Sequence, residues 1–103
     1  MKLGTIQVGE EKWTVVVANK DRGFQSDELD GVVTWDTKTI YIARRLGRKQ
    51  RSMVLLHELL HVLLPEAQES QVRRLERVLF PVLWKWGWRP FQKKRVPTLP
   101  EES

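Results

Sequence analysis

Two histidines stand four residues apart in Leu56-His57-Glu58-Leu59-Leu60-His61, and a glutamate directly follows the first. On a helix, positions four apart share a face, with Cβ atoms about 5–6 Å from each other. Two imidazoles placed this way can reach one metal ion, and Zn2+ takes nitrogen ligands at about 2.0–2.1 Å in tetrahedral geometry. Glu58 lies about 100° round the helix from His57 and about 60° from His61. It stands beside such an ion but is angled away from it, where a general base for a metal-activated water belongs. The chain has two histidines in all. Placed at random, they would take this spacing with a glutamate after the first on the order of 0.2% of the time, so the pattern carries information.

The surroundings point the same way. From Met53 to Leu64, nine of twelve residues are apolar, and the three polar ones are His57, Glu58 and His61. A helix that is apolar nearly all round is a buried helix. Burying two imidazoles and a carboxylate without partners costs about 1–3 kcal/mol per group. A metal satisfies all three, two directly and one through its water.

The motif needs elements to hold it. Thr5–Val8 and Trp13–Val17 are rich in β-branched residues and flank Gly9-Glu10-Glu11, which predicts a β-hairpin. Residues 19–30 are polar and predict a loop. Gly31–Trp35 and Thr39–Ala43 predict a second strand pair turning at Asp36-Thr37-Lys38. A basic connector, residues 44–51, leads into a helix over Arg48–Leu64 that Pro65 ends. A second helix is expected from near Glu66. Val72, Leu75, Val78, Leu79, Val82, Leu83 and Trp86 give it one apolar face. Pro81 predicts a kink or break in it, and Gly87 a stop. The fold class expected is α+β: a small, mainly antiparallel sheet packed on the motif helix and a second, glutamate-bearing helix. One domain covers residues 1–90, and residues 91–103 form a basic, proline-containing tail.

Composition narrows the chemistry. At 103 residues, with 41% hydrophobic and 30% charged, the chain has room for one small core and none for a dinucleotide-binding unit beside a substrate domain. The absence of cysteine excludes disulfide scaffolds, thiolate metal sites and a cysteine nucleophile. The first residues lack the apolar run of a signal peptide, and Met53–Leu64 is too short to span a bilayer, so the expectation is a cytoplasmic protein with no membrane partner. Charge is uneven. Residues 1–43 carry five Lys/Arg against seven Asp/Glu, and residues 44–100 carry thirteen against four. No base-reading motif accompanies this basic half, so any nucleic-acid contact is expected to be weak and non-specific. Trp84-Lys85-Trp86-Gly87-Trp88 interleaves aromatic and basic residues, and closing a small core at a helix end is the reading favoured over base stacking.

His57-Glu58-Leu59-Leu60-His61 is the zincin signature. Over Leu55 to about Leu79, a motif helix is followed by an acidic residue and an amphipathic helix, and the chain resembles minimal zincin-like metallopeptidases of the ImmA/IrrE type known from phages and mobile elements. SprT-like proteases share the motif and a basic surface; the metzincin extension is absent, since there is no third histidine. The resemblance implies a zinc-dependent peptidase acting on a protein or peptide, with His57 and His61 as ligands and Glu58 as base. It also implies a third ligand, a carboxylate on the next helix. Glu66, Glu69 and Glu76 are the candidates, and the likeness favours Glu69 in Pro65-Glu66-Ala67-Gln68-Glu69. Zincins hold peptide along an edge strand; either strand of the second pair could serve, and Gly31–Trp35 is the choice, with Val33 and Trp35 as contact positions. Tyr41, the one tyrosine, is the candidate for facing the reacting carbonyl oxygen. The alternative is a non-catalytic zinc-binding module of the same fold, with a regulatory or nucleic-acid-binding role.

Overall fold

In the computed structural model, residues 2–19 and 29–91 are described. Alternation of buried and half-buried side chains shapes the sheet. In β2 (Glu11–Ala18), Trp13, Val15 and Val17 are buried while Thr14 and Val16 between them are half-buried, the period-two pattern of a strand packed on one face. β1 (Lys2–Val8) pairs antiparallel with β2 through the turn at Gly9, whose φ of +63° suits glycine. β3 (Gly31–Thr34) and β4 (Thr39–Ala43) form the second antiparallel pair.

The two hairpins join by a parallel pairing of β2 with β4, from Thr14 opposite Thr39 to Ala18 opposite Ala43. The strand order is therefore β1-β2-β4-β3, a mixed sheet in which two of the three pairings are antiparallel. Interior β4 is the most apolar strand, with Ile40 and Ile42 fully buried, and β3 lies at an edge.

α1 (Arg48–Leu63) lies across the sheet. Leu55 and Val62 join Trp13, Val15, Val17, Ile40, Ile42 and Phe91 in the main core. Phe91 thus packs into the domain, although the sequence placed it first in the tail; residues 92–103 lie outside the described residues. The other side of α1 packs on α2 (Glu69–Lys85), where Leu56 and Leu60 meet Val72 and Phe80. No helix among the described residues is long and apolar enough to cross a membrane.

Three local expectations shift. α2 starts at Glu69 rather than near Glu66, because the Gln68 N–H donates to the Gln71 side chain at 2.8 Å and the Gln68 side chain accepts in return from the Gln71 backbone N–H, a reciprocal N-terminal cap. Pro81 does not break α2, which runs on to Lys85. Pro81 is exposed, so the carbonyl it leaves unpaired can turn to water while Phe80, Leu83 and Trp84 hold the flanking turns against α1. Finally, α2 turns Val72, Glu76 and Phe80 inward, which leaves Leu75, Val78, Leu79, Val82 and Trp86 of its apolar face exposed.

Candidate metal centre

α1 carries His57 and His61 one turn apart on the side facing α2, with ring centroids 4.8 Å apart and Nε2 atoms 3.2 Å apart. Glu69, in the first turn of α2, brings its carboxylate to both: one oxygen lies 3.1 Å from His57 Nε2 and the other 2.8 Å from His61 Nε2. Donor atoms held tetrahedrally about 2.1 Å from one ion stand about 3.4 Å apart. The two histidine nitrogens, 3.2 Å apart, stand just inside that value, and Glu69 reaches each of them with a different oxygen; with one atom from each residue, the group lies within 4.8 Å. Two imidazole nitrogens and a carboxylate oxygen are also the donor set a divalent ion of the zinc type accepts. The residues present therefore fit a metal ion.

The other nitrogen of His57 is also engaged. Its Nδ1 lies 2.7 Å from a Glu76 carboxylate oxygen, with both side chains largely shielded from water. A carboxylate only accepts, so an Nδ1–H donated to Glu76 would leave Nε2 to ligate an ion shared with His61 and Glu69. Such a carboxylate fixes the ring's tautomer and orientation for a metal. Of the three glutamates weighed from sequence, Glu69 stands with the histidine Nε2 atoms, Glu76 supports His57 from behind, and Glu66 is exposed in the turn before α2.

Glu58, adjacent to His57, is buried and lines the same cleft. Burial pushes its carboxyl above the ordinary value, against the pull of His57 and His61, and Glu69 and Glu76 add to the rise. Glu69 differs. Partial burial pushes its carboxyl upward, but the charge of His57, the hydrogen bond and charge of His61, and the charge of Arg73 together hold it below the ordinary value.

The cleft has a volume of about 400 Å³. α1 forms its floor with Val54, His57, Glu58 and His61, and α2 one wall with Glu69, Arg73 and Glu76. The start of β3 and the two residues before it form the opposite wall, Leu29, Asp30 and Gly31. Gly31 is required for space. A Cβ there would sit 2.6 Å from Val54 Cγ1 and 2.8 Å from Glu58 Oε2. We expect Gly31→Ala to cost about 1–3 kcal/mol and lower the melting temperature, measured by circular dichroism, since two packed side chains must move.

The three weaker sequence candidates fall elsewhere. Val33 packs on the main core, and Trp35 stands edge-on to Trp13 at 5.3 Å. Tyr41 is half-buried in interior β4, opposite Val16 and Val32, with β2 and β3 on either side of its strand. None of the three lines the cleft. Arg73 does line it, with its Nε 3.1 Å from a Glu69 oxygen. From sequence, Arg73 was legible only as an i,i+4 partner of Glu69, and Asp30 and Gly31 only as loop and strand-start residues.

The family model for the IrrE N-terminal-like domain, a peptidase family, matches residues 10–79. The chain belongs to this family. The matched span runs from β2 through the first two-thirds of α2 and contains all of His57, Glu58, His61, Glu69 and Glu76. No curated protein and no solved structure gives a match. The domain is thus metallopeptidase-like, with a His/His/Glu group able to hold a divalent ion.

Proposed function

We propose that the protein is a zinc-dependent peptidase in which His57, His61 and Glu69 hold the ion and Glu58 is the general base. The observation that carries this reading is one cleft that joins three converging ligand groups to a buried carboxylate with a raised pKa. When bound, zinc would supply a positive centre that polarises a peptide carbonyl and brings the ionisation of a water near neutral pH.

The chain's own residues do the rest. Glu58 accepts the proton of the attacking water on its carboxylate and delivers it to the leaving amine nitrogen. Burial suits it to both steps, because a carboxyl titrating above its ordinary value holds a proton long enough to pass it on. Glu76 keeps the His57 lone pair aimed into the cleft. Arg73 lines the wall as a cation that can face the carbonyl oxygen. β3 pairs through one edge with β4, and its Gly31 end forms a cleft wall, so an extended peptide added along its outer edge would pass over the ligands. Val33 and Trp35 lie further along that strand and the turn after it, where they would meet the flanking part of such a peptide rather than the reacting bond.

The test pairs metal analysis with a cleavage assay. Wild type supplemented with zinc should hold about one ion per chain and His57→Ala close to none. A mixed peptide library followed by mass spectrometry should show cleavage that a chelator stops and zinc restores. Metal content near zero in wild type, with stability unchanged by zinc, sinks the reading. A metal-loaded protein that cleaves nothing in the library favours the non-catalytic module instead.

A further inference from the structure

α2 carries more apolar surface than α1 covers. Leu75, Val78, Leu79, Val82 and Trp86 fall within an arc of about 100°, and all are exposed, Val78 to 64% and Trp86 to 79%. Leu63 and Leu64, at the end of α1, extend the stripe and meet Leu75 in a hollow of about 500 Å³. At side-chain areas of about 150–250 Å² each, the exposed part of these residues sums to the order of 700 Å². Single chains seldom expose more than about 300–600 Å² of contiguous apolar surface, and a standard interface takes about 800 Å² from each partner.

Charge selects the occupant. Arg74 and Lys85 project about 80–100° to one side of the stripe's centre, with Arg77 behind them. All three are exposed and make no ion pair among the described residues. A second copy laid antiparallel along the stripe would set this basic flank against its own equivalent, which opposes self-pairing. A lipid surface would answer the charge but has no protruding side chain to fill the hollow beside Leu75. We infer that α2 is the docking face for a partner protein's amphipathic helix, whose apolar side covers Leu75, Val78, Leu79, Val82 and Trp86 and whose acidic flank meets Arg74 and Lys85. This face lies on the side of α2 away from the metal centre, so it engages the partner without occupying the cleft.

A phage-displayed library of helical peptides, randomised on one face and both flanks, tests this without presupposing a sequence. Selection on wild type should enrich helices with apolar residues at i, i+3, i+4 and i+7 and Asp or Glu along one flank. The selected peptides should bind Val82→Glu and Arg74→Glu at least about tenfold more weakly. Val82 and Arg74 are exposed, and circular dichroism with zinc content checks that both variants remain folded. Enrichment of neutral or basic helices, no enrichment, or binders indifferent to Val82→Glu overturns the inference. So does concentration-dependent dimerisation that Val82→Glu abolishes, which assigns the face to a second copy, or binding to phosphatidylglycerol vesicles that Val82→Glu abolishes, which assigns it to lipid.

Discussion

The Glu58→Gln protein is expected to bind zinc like the wild type and to cleave peptides about 10²–10⁴-fold more slowly, the range for loss of a general acid–base group. Glu58 stands outside the His57–His61–Glu69 group, so exchanging its carboxylate for an amide removes no ligand. The amide keeps the shape of the side chain in its tight place against Gly31, so the cleft should not change. What is lost is a site for the water's proton. Retained zinc, read by metal analysis, with a collapsed kcat is the expected pair of results; lost zinc would make Glu58 a ligand, and unchanged kcat would place the base elsewhere.

The same substitution should raise the melting temperature of the metal-free protein at neutral pH. Burial raises the folded-state pKa of Glu58 above its unfolded value. The folded protein therefore holds the proton more tightly than the unfolded chain, and stability falls as pH rises from the unfolded value through the raised folded one. At neutral pH this penalty is in force for glutamate and absent for glutamine. Each kcal/mol recovered raises the melting temperature by about 4–8 °C in a domain of this size. At acidic pH, with both states protonated, wild type and variant should converge. A carboxylate that destabilises the apo fold is the cost expected of a buried base.

The parts of the site legible in the sequence are those that a single helix fixes. His57, Glu58 and His61 take their relations from the α-helical repeat, whatever packs around them. Glu69 was legible only through resemblance to a family, since spacing along the chain also allowed Glu66 and Glu76. Deciding among the three takes the start and direction of α2. The start rests on a reciprocal Gln68–Gln71 cap, and these side chains give a fainter signal than serine, threonine or aspartate. The role of Glu76 depends on α2 crossing α1 so that a residue 19 positions along reaches His57 Nδ1. Sheet order divides in the same way. Each hairpin is announced by its own turn and alternation, whereas the parallel pairing of β2 with β4 is a contact between hairpins that no local pattern encodes. The apolar periodicity of α2 likewise marked a helix correctly without saying which part of its face α1 would cover.

Glu69 and Glu76 both contact His57, and their amide variants should separate their roles. In the proposed site, Glu69→Ala removes a ligand. Sharing the roughly 10–16 kcal/mol of a four-ligand zinc site among its ligands gives about 3 kcal/mol each, so zinc affinity should fall by about 10² or more. Glu76→Ala leaves all three donors in place but frees the His57 ring, and loss of such a supporting carboxylate weakens metal binding about 10–100-fold. The alanine variants alone would be hard to tell apart. Glutamine distinguishes them, because its carbonyl oxygen still accepts a hydrogen bond from Nδ1–H yet is a poor, uncharged ligand for zinc. Glu76→Gln should therefore recover most of the wild-type affinity and Glu69→Gln should not, as measured by competition with a chromogenic chelator. Stability should follow by linkage: zinc at 100 times its Kd adds about 2.7 kcal/mol to a protein that binds it only when folded. At one fixed zinc concentration, wild type and Glu76→Gln should show a large zinc-induced rise in melting temperature and Glu69→Gln a small one. The reverse order, with Glu69→Gln recovering and Glu76→Gln not, would exchange the two assignments and make Glu76 the ligand.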